Sequence, residues 1–195
     1  MIGWGRWTGG TTTGTGNVHP LPLGGAGISL HYAIGKPTAA MPQAGTASFS
    51  LLGSTTPTLS SGEGDLTVHK LNSTTMNVDF TAATVNLGLD ATAVVDSNTN
   101  RYRVSNMPLS ISQVMGANSP AFSGSGDHAI EANFGAVCNA SSKCSVNVEG
   151  FFAGENASRA GLNYRINTRE ASAAEGPTDS VIGVVTLKKD GEGGL

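Results

Sequence analysis

Met76-Asn77-Val78-Asp79-Phe80-Thr81-Ala82-Ala83-Thr84-Val85-Asn86-Leu87-Gly88-Leu89 reads as two β-strands about a turn. Met76, Val78 and Phe80 alternate with Asn77 and Asp79, and Val85, Leu87 and Leu89 resume the rhythm. Successive side chains leave a strand on opposite sides, so strict alternation marks a strand with one buried face. Folded about Thr81-Ala82-Ala83-Thr84, Phe80 faces Val85, Val78 faces Leu87 and Met76 faces Leu89. Every apolar residue then lies on one face, and a slip of one residue would turn them all to water.

The same period recurs outward from this hairpin. Trp4 to Thr8 reads as a first strand with Trp7 or its neighbours toward the core, followed by a Gly/Thr-rich loop over 9–27. Ile28, Leu30, Tyr32 and Ile34 alternate with polar or small residues until Gly35-Lys36-Pro37-Thr38. Ala47, Phe49 and Leu51 form another strand, closed by Gly53 and Pro57. After Asp96-Ser97-Asn98-Thr99-Asn100, Tyr102 and Val104 oppose Arg101 and Arg103, which gives one wet face. The segment 105–127 shows no period and reads as a long irregular loop, with Met107, Leu109, Met115 and Phe122 as its apolar residues.

Cys138 and Cys144 bracket a turn-like run and suit a cross-strand disulfide, with two free thiols as the alternative. Closing so short a loop stabilises by about 2 kcal/mol in the chain-entropy model. With the cysteines opposite one another, Ala136 meets Val146, Phe134 meets Val148, Ile130 meets Phe152, and Asn133 meets Glu149. Residues Glu155 to Arg159 fit one helical turn, Leu162, Tyr164 and Ile166 a strand, 168–180 a polar loop and Val181 to Leu187 a last strand. No segment of ten residues holds a 3.6 period. The expected fold is all-β: one antiparallel up-and-down barrel of about eight strands over 1–188, lipocalin-like in appearance, with long end loops and a flexible tail at 189–195.

Composition narrows the function. Charged residues are 13% of 195, about half the usual ~25%, and the net charge is −3. A basic footprint for nucleic acid is therefore missing. No run approaches the ~18 consecutive apolar residues of a membrane-spanning helix. The start Met1-Ile2-Gly3-Trp4-Gly5-Arg6-Trp7 lacks the basic-then-apolar order of a signal peptide, and reads as the beginning of a folded domain in a processed product or a fragment. A disulfide would place the protein in an oxidising compartment, so an exported location is expected.

These pieces resemble the barrels of transferrin-binding-protein-like proteins. The resemblance rests on Val78-Asp79-Phe80 followed by Val85-Asn86-Leu87, on Gly150-Phe151-Phe152-Ala153-Gly154 with Ala157, Ala160-Gly161 and Tyr164, and on the closing strand Gly183-Val184-Val185-Thr186-Leu187-Lys188. Trp4-Gly5-Arg6-Trp7 and His31-Tyr32-Ala33-Ile34-Gly35-Lys36-Pro37-Thr38 are similar to C-terminal barrels of FecR-like bacterial proteins. The resemblance implies an eight-stranded barrel in an exported bacterial protein, surface-exposed or periplasmic. It carries over no binding residue, because the family's ligand contacts lie in variable loops.

Candidate chemistry is sparse. His19, His31, His69 and His128 stand at no metal-ligand spacing, and His31 and His69 oppose the apolar parity of their strands, which predicts surface positions. Tyr32 and Tyr102 follow core parity and are expected to pack. Glu131 and Glu149 would be diagonal neighbours on a wet face of the cysteine hairpin. No nucleophile elbow, phosphate loop or zinc-protease motif is present. The expectation is a non-enzymatic binding or adhesion module without metal or cofactor. Its partner would be a protein or small molecule met through the end loops; Met107, Leu109, Met115 and Phe122 are candidate contacts there, with plugging of the barrel mouth as the favoured alternative role for these apolar residues. The alternative is a self-associating subunit of a surface layer or filament.

Overall fold

The computed structural model describes residues 1–7, 10–11, 22–23, 29–60, 69–95, 98–128, 131–133, 144–168 and 179–191. Its strands are β1 (Ile2–Trp7), β2 (Gly10–Thr11), β3 (Pro22–Leu23), β4 (Leu30–Gly35), β5 (Thr46–Ser54), β6 (Thr58–Leu59), β7 (Lys70–Asp79), β8 (Thr84–Val95), β9 (Asn98–Val114), β10 (Ala117–His128), β11 (Glu131–Asn133), β12 (Cys144–Ala153), β13 (Arg159–Thr168) and β14 (Asp179–Lys189). Among the described residues a single 3-10 turn spans Glu155–Ala157. Lys189 belongs to the wall rather than to a tail.

Strands β5, β7, β8, β9, β10, β12, β13 and β14 pair in that order, and β14 returns to β5, so the wall closes. Every pairing is antiparallel. Closure leaves this sheet without long free edges. Inward positions follow the expected alternation: Met76 and Val78 on β7, Leu87 and Leu89 on β8, Val146 and Val148 on β12, Leu162 and Ile166 on β13 are all buried.

The founding hairpin keeps its face but shifts its register by two residues. Val78 pairs with Val85, Met76 with Leu87 and Thr74 with Leu89. The cause is Asp79, whose Oδ1 accepts the N–H groups of Thr81 (2.9 Å) and Ala82 (3.0 Å). That side-chain turn, with Ala83 in the left-handed region (φ 53°), moves Phe80 out of the strand and into the loop. Phe80 stays buried there.

The segment 105–127 is not an irregular loop. It forms the second half of β9 and nearly all of β10. A bulge opposite Gly88 inserts Ser105-Asn106, with Asn106 left-handed at φ 53°, so the buried series runs Tyr102, Val104, then Met107, Leu109, Ile111. The phase changes by one at the bulge, which hides the period from a sequence reading.

On β10 the inward residue Phe122 faces Gly150. A side chain at Gly150 would enter the Phe122 ring, and one at Gly124 would come within 2.7 Å of Leu109. Tyr164 and Gly183 make a third large–small pair. The interior is thus filled by big residues laid over bare backbone.

Of the expected cysteine hairpin, Ile130, Phe134 and Ala136 lie outside the described residues, and Asn133 pairs with Arg101 rather than with Glu149. Strand β12 is bounded by β10 on one side (Val148 with Gly124) and by β13 on the other (Val148 with Tyr164). Both of its edges are occupied, and β11 pairs with β9. Cys144 opens β12. Cys138 lies outside the described residues, as do the 12–21 part of the first loop and the 169–178 loop.

One rim of the barrel, here the lower, carries the β7–β8 and β9–β10 turns. The chain from Lys36 to Gly45 crosses it as a strap. Pro37 bridges Ala153, the Thr38 N–H donates to the Phe152 carbonyl at 3.0 Å, and the Phe80 N–H donates to the Gly45 carbonyl at 2.9 Å. Met41 on the strap is buried in the core.

Strands β1 and β4 form a separate two-stranded sheet packed on the outside of β13, β14 and β5. Its faces are inverted relative to expectation. Trp7 is 55% exposed and Ile34 67% exposed, whereas His31 is turned to the barrel and buried. Trp4 is the tryptophan that seats on the wall, over Gly53, where any side chain would enter its ring.

Candidate binding surface

Of the four apolar candidates, three are core. Met107 (0% exposed), Leu109 (2%) and Phe122 (1%) face the barrel interior from β9 and β10 and cannot meet a partner. Met115 is different. It is fully exposed at the apex of the β9–β10 hairpin, beside Val114 at 63%.

The apex is a two-residue turn with both φ values positive: Met115 at 51° and Gly116 at 80°. This is the hairpin turn whose first position asparagine fills best, because a larger side chain meets backbone there. Met115 therefore departs from the local optimum twice, in backbone conformation and in exposing a long apolar side chain. The hairpin's base is clamped. Asn118 donates from its backbone N–H to Gln43 Oε1 (2.8 Å), and from Nδ2 to the carbonyls of Pro42 (3.0 Å) and Phe80 (2.7 Å). Gln113 Nε2 donates to Asn118 Oδ1 at 3.3 Å. The tip stands on a fixed stalk.

Polar residues inside the opposite rim form a second feature. His69, expected at the surface, is buried, and its Nδ1 donates to the Pro57 carbonyl at 3.0 Å. That bond leaves Nε2 as a buried acceptor with no hydrogen-bond partner. The Tyr164 hydroxyl is likewise buried and unpartnered, and burial pushes its pKa up. Tyr102 packs in the core as expected, and Tyr32 lies against Trp7 with ring centroids 5.7 Å apart.

Among the described residues the outer wall carries one charge network. Asp90 accepts hydrogen bonds from Arg101 Nε (2.8 Å), Asn72 Nδ2 (2.9 Å) and Arg103 Nε (3.4 Å). The Arg101 hydrogen bond is the main force holding the Asp90 carboxyl below its ordinary pKa, against the opposing effect of burial. A folded-state pKa below the unfolded value means stability present at neutral pH and lost as acid titrates the carboxylate, below about pH 4. Because Arg101 is half-exposed, solvent screening keeps the effect small. Urea denaturation from pH 6 to pH 2 is expected to show Asp90→Asn losing less stability than the parent. Identical acid profiles would remove Asp90 from the account.

Beside this network the bulge leaves a hollow of about 280 Å³, lined by Thr75, Gly88, Asp90, Arg103 and Asn106. Glu131 pairs with Arg103 on β9, while Glu149 lies between Ser123 and Asn163, so the two glutamates do not share a hairpin. Among the described residues no three His, Cys, Asp or Glu side chains come together as a metal site. Sequence reading missed His31 because β4 turns its polar parity to the barrel, and His69 because the register shift between Leu71 and Ser73 changes the phase of β7 ahead of Met76 and Val78.

No family model matches the chain, and no curated protein matches it. Among solved structures, a single mutant of transferrin binding protein B, a vaccine antigen from Haemophilus parasuis Hp5, is similar at 18% identity and a TM-score of 0.45. A double mutant of the same protein gives 19% and 0.45. Each likeness covers 83% of this chain and 29% of the other, so the chain spans under a third of the solved protein it resembles.

Proposed function

We propose that this chain is a non-enzymatic, exported bacterial barrel that binds a protein partner through loops at its rims. The observation that carries the reading is the Val114-Met115 apex, an apolar tip in a costly backbone conformation on a clamped hairpin. A convex tip without charge suits a concave apolar pocket on a protein, with Met115 as the central contact. Export is part of the proposal and rests on Cys138 and Cys144 forming a disulfide.

A second reading, a self-associating subunit of a surface layer or filament, is favoured by the solvent-facing apolar row Trp7, Leu30 and Ile34 on the β1–β4 sheet. One experiment separates them. Met115→Asn is expected to stabilise the fold by about 0.5–1 kcal/mol, since asparagine suits the turn, while lowering capture of a partner from host extract at least tenfold. Unchanged capture by Met115→Asn overturns the first reading. Light scattering that shows concentration-dependent growth, equal in both proteins, supports the second.

A further inference from the structure

The two faces of the β1–β4 sheet differ in kind. Trp4, Arg6 and His31 lie on the face turned to the barrel, and Gly3, Gly5, Trp7, Leu30, Tyr32 and Ile34 lie on the other. Arg6 is the one Lys, Arg, Asp or Glu of these two strands, so the outer face carries no charge. Neither strand pairs with a third.

That outer face is tall at one end and low at the other. Trp7 and Leu30 pair at the tall end, 55% and 41% exposed. In the middle the Tyr32 ring meets Trp7 edge-on and lays its hydroxyl end over Gly5. At the low end Gly3 pairs with Ile34, and β1 has no side chain there. A methyl built at Gly3 would meet Ile34 Cγ2 at 3.7 Å, an ordinary contact, and nothing else within 4 Å. The place beside Ile34 is an open hollow.

Sheets bury apolar faces by stacking on one another at about 10 Å. A second copy, turned about a two-fold axis that lies between the faces and crosses the strands, sets β1 over β1 in the reverse direction. Trp7 of each copy then comes over Gly3 of the other, Leu30 over Ile34, and Gly5 over Gly5. The tall end of one face meets the low end of its mate, which is the self-complementarity a closed pair requires. A lipid surface would call for cations fringing the apolar residues, and Arg6 is turned away. The exposed apolar area is on the order of a few hundred Å², the scale of an interaction patch. A pair of such faces buries less than about 1,200 Å², which places it in the weak class.

We propose that the outer face of the β1–β4 sheet stacks on the same face of a second copy, with Trp7 of each chain seated in the Gly3 hollow of the other. This rests on the self-association reading above and narrows it to a closed pair. Sedimentation equilibrium of the intact chain across a range of concentrations tests it, with far-UV circular dichroism as the record of folding. The expected mass rises with concentration and stops at two copies, and Trp7→Ala weakens the pair at least tenfold. Gly3→Val is the sharper variant. It fits its own chain and adds apolar surface, so unspecific stacking would tighten, yet it fills the hollow and is expected to weaken the pair at least tenfold. Growth beyond two copies, or equal or tighter association of Gly3→Val, overturns the pair and leaves self-association standing. A parent that stays monomeric overturns both, whether its face takes phosphatidylglycerol vesicles or a host protein instead. If Gly3→Val does not fold, the parent stoichiometry and Trp7→Ala decide, and unchanged association of Trp7→Ala overturns the proposal.

Discussion

Phe152→Ala is expected to lower the free energy of unfolding by about 4 kcal/mol, and the melting temperature by roughly 8–16 °C. Phe152 is fully buried on β12. Its ring centroid lies 4.9 Å from that of Phe122 on β10, 5.8 Å from Phe80 in the β7–β8 turn, and 6.0 Å from Phe49 on β5. Three separate segments therefore lose contact with one truncation, and Phe122 and Phe49 cannot collapse inward without leaving their ladders. The loss is a large part of the ~5–15 kcal/mol a domain has in total. Urea unfolding monitored by circular dichroism checks it, and a change under about 1 kcal/mol would mean that this centre is not packed as described.

The second large effect is expected at Asn118. Asn118→Ala removes two Nδ2 hydrogen bonds, leaving the Phe80 carbonyl without its buried donor and freeing the Pro42 carbonyl. An unsatisfied buried acceptor costs about 1–3 kcal/mol, so a loss of about 2–3 kcal/mol is expected. The distribution of the damage is more diagnostic than its size. The strap from Lys36 to Gly45 and the β9–β10 apex are both tied to this side chain, so their amides should exchange faster together. The upper halves of β13 and β14 should be unaffected. Uniform acceleration over the whole barrel would contradict a local clamp.

The wall was legible in the sequence wherever an alternating run was unbroken. Met76 to Leu89, Tyr102 to Val104, Leu162 to Ile166 and Val181 to Leu187 are all strands with the expected face inward. Register was not legible, because Asp79 draws the turn one residue earlier through hydrogen bonds that leave the apolar pattern unchanged. Strand β10 was invisible for a different reason. Its inward positions include Gly124 and Gly126, and glycine carries no hydrophobic signal even where it faces the core.

The β1–β4 sheet shows the limit of parity itself. Two faces are distinguished by alternation, but which of them meets the barrel is decided by what the barrel offers. Here it offers Thr55 and Thr58 to His31, and bare Gly53 to Trp4. Of the four candidate contacts, only Met115 survives, since the bulge at Ser105-Asn106 carries Met107 and Leu109 inward and a glycine partner makes room for Phe122.

The pairing of a bulky ring with bare backbone, at Phe122 with Gly150 and Tyr164 with Gly183, ties distant codons together. Neither member can change size alone: a methyl gained at 150 has to be repaid by a smaller ring at 122. Packing of this kind favours coupled double steps within the lumen, and leaves single steps to the Ser, Thr and Asn rows outside.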